Sequence, residues 1–265
     1  MTRSGPLLVV AFAAATLLGI ALARAQQSGI PADGVKSGFE FLGADAKAMQ
    51  QDEFSNPGFL WAERGEKLWS TAAGAAGQSC ASCHGDARQS MKGVAARYPL
   101  VDRTSSRLMT VDRRIQQCRV DRQRSEPLAP ESQDLLSLSA WVSLQSRGMP
   151  IDTSIDGAAR KPFEAGQALF FRRFGQMNLS CSQCHDANWD KRLYASPITQ
   201  GQPNAYPAYR LEWQTLGSLE RRLRACLSGI RAEMFPYGSD EHAELALYLA
   251  WRARGLKMES PGVRR

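Results

Sequence analysis

Two five-residue stretches could do chemistry that the rest of the chain could not: Cys80-Ala81-Ser82-Cys83-His84 and Cys181-Ser182-Gln183-Cys184-His185. Each places two thiols three residues apart, with an imidazole directly after the second. That spacing suits covalent attachment of a c-type haem, whose two vinyl groups take the thiols while the histidine reaches the iron. Together the stretches use two of only three histidines and four of six cysteines. A zinc site would need four ligands grouped in space, and a C-x-x-C redox pair makes no use of the trailing histidine. The expectation is two covalently bound c-type haems, one at Cys80 and Cys83 and one at Cys181 and Cys184, with His84 and His185 as iron ligands.

Cys118 and Cys226 remain. In an oxidising compartment the plain reading is a disulfide between them. An internal repeat argues otherwise. Gly65 and Trp69 lie fifteen and eleven residues before Cys80, and Gly166 and Phe170 hold the same places before Cys181. Residues 112–118, DRRIQQC, match 220–226, ERRLRAC, and Trp141 with Gly148 matches Tyr248 with Gly255. These landmarks recur in one order at offsets of 101 to 108 residues, which reads as a duplicated domain and not a solenoid. Equivalent cysteines in two copies of one fold belong beside two different haems, and a sixth iron ligand in each copy is the economical reading. Methionine is the usual competitor, but Met149 lies 31 residues past Cys118 and Met234 only 8 past Cys226. His242 has no counterpart in the first half. On pattern, cysteine is preferred, with methionine and histidine left open.

A thiolate on haem iron donates strongly, stabilises Fe(III) and depresses the potential. Nearby arginines help keep such a sulfur deprotonated. Arg222 stands four residues before Cys226, on the same helical face. Flanked by Arg221 and Arg224, it reads first as part of a solvated basic face.

The elements that must hold these groups read as helical. In each half an early helix carries the Gly-x-x-x-aromatic face, and the haem motif follows. After a long irregular stretch come the R-R-x-x-x-Cys helix and a final helix. The last of these has Ser239 as a plausible N-cap, Asp240 and Glu241 in its first turn, and a buried stripe of Leu245, Tyr248 and Leu249. No run of alternating strands stands out. The expected fold is all-α, two cytochrome c-like domains related by duplication. Residues 61–153 form the first haem domain and 154–265 the second, which carries the active site. The polar stretch from Pro150 to Pro162 reads as the linker. Residues 26–60 form an extension without a legible role.

The first 25 residues combine a basic start at Arg3, an apolar run and an Ala23-Arg24-Ala25 end, the layout of a cleaved secretory signal. As a membrane anchor the run would be marginal in length. The mature chain is thus expected in the periplasm, with no further membrane contact. Loss of Arg3 and Arg24 takes the formal charge from +7 to +5. Four haem propionates would offset most of that, so a local anion site is a better reading than nucleic acid.

With "NPGFLWAERGEKLW" at 56–69, both C-x-x-C-H motifs and "ERRLRAC", the chain resembles the SoxA family from about Ser37 to its C-terminus. SoxA proteins are subunits of the SoxAX cytochrome, the L-cysteine S-thiosulfotransferase of bacterial thiosulfate oxidation. The resemblance implies two His/Cys-ligated haems, with Cys118 and Cys226 as the sixth ligands, and a monohaem cytochrome partner of the SoxX kind. It implies oxidative joining of thiosulfate to a cysteine of a SoxYZ-like carrier. It also implies that Cys226 is the reactive sulfur, able to carry a persulfide, and that Arg222 binds substrate. The alternative is a dihaem electron-transfer cytochrome without catalytic activity, or a dihaem peroxidase with an open distal position. Arg114 matches Arg222 in the first half, so the motif alone does not make a catalytic site.

Overall fold

The computed structural model describes residues 34–265. The segment read as a secretory signal lies outside them. After a 3-10 turn at Gly38–Phe41 come α1 (Ala44–Gln51), α2 (Gly58–Ser70), the single-turn α3 (Cys80–His84), α4 (Ala87–Ser90), α5 (Val111–Cys118) and α6 (Gln133–Leu144). The second half follows with α7 (Arg160–Phe171), the single-turn α8 (Cys181–His185), α9 (Leu219–Gly229) and α10 (Asp240–Arg252). Both halves lie within one compact unit, Val35–Arg265.

The glycine of each Gly-x-x-x-aromatic face sets how the main helix pairs close. A Cβ on Gly65 of α2 would stand 2.1 Å from the Ser137 carbonyl oxygen of α6, and one on Gly166 of α7 would stand 2.0 Å from that of Glu244 in α10. Only a residue without a side chain allows backbones to approach so closely. One turn on, Trp69 and Phe170 are buried against the same partners. Phe163, Phe170, Leu245, Tyr248 and Leu249 form the second half's core, and Trp69, Ala87, Trp141 and Val142 the first half's. Ser239 caps α10 by accepting from the His242 amide, with Asp240 and Glu241 in its first turn.

The fold is mainly helical, yet the irregular stretches contain strands that an all-α reading omits. β1 (Leu100–Val101) pairs antiparallel with β2 (Leu108–Met109), and β3 (Arg192–Leu193) with β4 (Ser196–Pro197). β5 (Ala208–Arg210) pairs antiparallel with β6 (Thr215–Gly217) and parallel with the C-terminal β7 (Gly262–Arg264). Strands of two or three residues are too short to show an alternating pattern. The linker also differs: α7 begins at Arg160 and contains Pro162. Proline fits there because a first-turn N–H has no partner within the helix in any case.

The extension has a structural task. Gln50 Oε1 accepts from Val263 N (2.9 Å) and Arg264 Nη1 (2.6 Å), Asn56 Nδ2 donates to Pro261 O (2.9 Å), and Ser37 Oγ donates to Glu259 (2.5 Å). Residues 37–56 thus strap the C-terminal strand that completes the β6-β5-β7 sheet.

Candidate functional site

Each C-x-x-C-H stretch folds into one helical turn because its preceding serine caps it. Ser79 Oγ accepts from Ser82 N (3.0 Å), and Ser180 Oγ accepts from Gln183 N (3.3 Å). The turn puts each pair of cysteines on one face. A short antiparallel bridge leads into each turn, Ala73 with Gln78 and Phe174 with Leu179. The backbone after each spare cysteine docks on that bridge. Ala76 N donates to Gln123 O (3.0 Å), and Gln176 N donates to Arg231 O (3.2 Å). This brings the C-terminal ends of α5 and α9 to the two haem motifs.

All six cysteines are free thiols, grouped three to a half. Cys118 acts electrostatically on Cys80, and Cys226 on Cys181 and Cys184. The disulfide reading is therefore not realised. The His185 ring has Nδ1 2.7 Å from the Thr199 carbonyl, where an Nδ1–H donates and leaves Nε2 free for a metal. The Cys226 thiol lies near enough to the same ring for the imidazole to favour its charged form. In the first half, the His84 ring packs 5.7 Å from that of Trp69, whose Nε1 donates to Gly85 O (2.9 Å). Two thiols on one face, an imidazole with a free nitrogen, and a third thiol near them form a donor set that fits a covalently held haem in each half.

The other candidates sit elsewhere. Met234 is exposed. Met149 lies just before the linker, where its carbonyl accepts from Met258 N (2.8 Å). His242 is buried between the rings of Phe235 and Tyr237, with Nδ1 3.4 Å from a Glu220 carboxylate oxygen.

The two spare thiols have opposite electrostatics. Burial raises Cys118, and the arginines near it, Arg114 and Arg122, do not reverse that. Burial also pushes Cys226 up, but Arg222, His185 and Arg210 outweigh it and bring the thiol down to about 7. The guanidiniums explain the difference. Arg114 Nη2 is 2.5 Å from Asp102 Oδ2, and its other nitrogens meet Gln117 and Tyr98. The Arg222 guanidinium makes no protein hydrogen bond among the described residues, and the Cys226 thiol is the main influence on its charge.

Sequence reasoning overlooked Asp102 and Arg210. A signal was available: the 108-residue offset that relates Cys118 to Cys226 also relates Asp102 to Arg210. The pairing registers agree, since Leu100↔Met109 and Val101↔Leu108 correspond to Ala208↔Gly217 and Tyr209↔Leu216. The caps agree too, Thr110 on α5 and Ser218 on α9.

Residues 64–151 and 165–258 each match the family described as SoxA/TsdA, cytochrome c domain. The chain is 39% identical over 91% of its length, and 84% of the relative's, to the L-cysteine S-thiosulfotransferase subunit SoxA of Pseudaminobacter salicylatoxidans. It is 35% identical to the SoxA subunit of Rhodovulum sulfidophilum, covering 88% of this chain and 81% of that one. Among solved structures it is similar to SoxXA from P. pantotrophus, with a TM-score of 0.85, 35% identity and 88% of both chains covered.

Proposed function

We infer that this chain, which belongs to the SoxA family, is the cytochrome subunit of an L-cysteine S-thiosulfotransferase that joins thiosulfate to a carrier cysteine. In the overall reaction an S–S bond forms between the terminal sulfur of thiosulfate and the carrier sulfur. The thiol proton and two electrons leave. Bound haem supplies the one-electron acceptor chemistry, and we assign one covalent c-type haem to each half, with His84 and Cys118 on one iron and His185 and Cys226 on the other. The two matches to the cytochrome c domain support an internal duplication, with the halves meeting near residue 153. A SoxX-type cytochrome as partner, a SoxYZ-type carrier and a periplasmic location accompany this reading. No helix among the described residues is long and apolar enough to cross a membrane.

The observation that carries the assignment of the site is the Arg222–Cys226 pair. A permanently charged donor fork, without a protein hydrogen bond among the described residues, stands beside a thiol whose charged form it favours. Arg222 holds the thiosulfate dianion, and Cys226 is the sulfur at which thiosulfate and carrier meet and the one that can carry a persulfide. The half containing Cys118 lacks such an arginine, because Asp102 occupies Arg114. The test is thiosulfate-dependent electron transfer in the presence of the carrier, together with low-temperature EPR of the oxidised protein. Two thiolate-ligated low-spin signals and turnover that needs Cys226 are expected. Methionine-type signals from both haems and no carrier-dependent turnover would return the chain to a plain electron carrier.

A further inference from the structure

The duplicated halves differ in charge at one strand position. β1 runs into Asp102 and β5 ends on Arg210, at equivalent places beside the arginines of α5 and α9. In the first half the strand position supplies a carboxylate, and Arg114 binds it. In the second half it supplies another guanidinium. We propose that Arg210 is a second substrate-binding residue, which with Arg222 presents two guanidiniums to a divalent oxyanion beside Cys226.

The surroundings of Arg210 support binding over mere surface charge. Its side chain is 9% exposed and its Nε is buried without a hydrogen-bond partner. Nη2 lies 3.2 Å from a Glu212 carboxylate oxygen, and Nη1 lies 3.4 Å from the Tyr206 hydroxyl, a long and weak contact. Tyr206 and Glu212 also lie close enough to Arg222 to act on it electrostatically. The two arginines therefore share one neighbourhood. The Arg210 and Arg221 guanidiniums lie 4.9 and 4.2 Å from the Trp213 ring centre, which holds this basic wall in place. Glu212 is half-exposed and is the carboxylate nearest to Arg210. A buried guanidinium and a half-buried one, with one solvated carboxylate against them, leave an excess of positive charge that a dianion satisfies. A fork is also suited to planar, bidentate contact with an oxyanion.

This inference rests on the assignment of Arg222 and Cys226 above, so the experiment separates the two. Haem-loaded protein with its cytochrome partner is prepared as wild type, Arg222→Ala, Arg210→Gln, Arg210→Lys, Arg210→Asp and Glu212→Gln. Thiosulfate affinity is measured by titration calorimetry, and KM and kcat by carrier-dependent electron transfer. Arg210→Gln is expected to raise Kd and KM for thiosulfate about tenfold with kcat changed less than about twofold, the lower end for a lost charge-assisted hydrogen bond. Arg210→Lys should stay within about threefold, since the charge remains. Arg210→Asp, which reproduces the first half, should weaken binding about a hundredfold or more by pairing with Arg222. Glu212→Gln alters a half-exposed side chain and should tighten binding. It decides the matter if the Arg210 variants fail to fold. Unchanged affinity in the Arg210 series with a clear loss in Arg222→Ala would overturn the role of Arg210 alone, as would Glu212→Gln binding no tighter than wild type. Unchanged affinity in Arg222→Ala would sink the substrate site itself.

Discussion

Arg222→Ala and Arg114→Ala are the same substitution at equivalent places, and the structure predicts different consequences. The Arg222 guanidinium makes no protein hydrogen bond among the described residues and lies beside Cys226. Its removal leaves both haem motifs and the α9 face intact, so folding and haem content should persist. What goes is a charge-assisted contact to a dianion, about 1.5–3 kcal/mol, or roughly a ten- to hundredfold loss in kcat/KM. Arg114 is bound to Asp102 at 2.5 Å, and Asp102 is also held by Ser105 N (2.8 Å) and Ser105 Oγ (2.9 Å). These bonds, that to Arg114 foremost, hold the Asp102 carboxyl well below its ordinary range. Deleting Arg114 strands a partly exposed carboxylate that keeps its serine contacts. The cost should be a small loss of stability, visible in Tm, with turnover nearly unchanged. The assay is thiosulfate-dependent reduction of the haems with carrier present, alongside thermal unfolding of each variant. Equal loss of activity in the two variants would refute the reasoning, because it would mean the Asp102 contact does not distinguish the halves.

Three other outcomes follow from the packing and charge of the fold. Gly166→Ala drives a Cβ to within 2.0 Å of the Glu244 carbonyl and should destabilise the protein by about 3 kcal/mol, read from denaturant unfolding. A cost under about 1 kcal/mol would mean the α7–α10 crossing is not set by backbone approach. The Asp112 carboxyl, through burial and the nearby Glu220 and Glu131, is pushed up to about 7 despite its bond to Ser139. Between about pH 4 and 7 the folded chain then keeps a proton that the unfolded chain has released, so this group's contribution to stability falls as pH rises, by at most about 1.4 kcal/mol per unit. Asp112→Asn should match wild type near pH 4 and exceed it in Tm above pH 7; a constant difference across that range would count against it. Cys118→Met should replace one thiolate EPR signal and raise that haem's potential, because a neutral thioether replaces an anion. It should cost less turnover than any change at Cys226, and an unaltered pair of thiolate signals would remove Cys118 as a ligand.

The parts of the fold that were legible are those where a residue type has one strong structural reason. Gly65 and Gly166 stand out because nothing larger fits, and Ser239 because an unpaired helix start wants an oxygen. The cysteine and histidine spacings stand out for covalent reasons. The strap formed by residues 37–56 was not legible. It works through single side chains such as Gln50 and Asn56, whose partners lie more than two hundred residues away in the chain. No local pattern marks such contacts. The short strands were hidden for another reason: β5 is three residues long and buried throughout, so it has neither period nor polar face.

The site shows a different limit. The likeness of the two halves is read from what they share: the cap, the paired strands, the double arginine and the cysteine. The functional contrast lies in what they do not share. Asp102 and Arg210 look like unrelated residues in an irregular stretch until the strand registers align them. Once they are aligned, the opposite directions of the two thiols have a physical cause. A buried sulfur favours its anion only if nearby positive charge is not already bound elsewhere. Asp102 binds that charge in the first half, while the second half has Arg210 in its place and leaves Arg222 facing Cys226. A carboxylate in one half and a guanidinium in the other is enough to give two similar arrangements two different sulfurs.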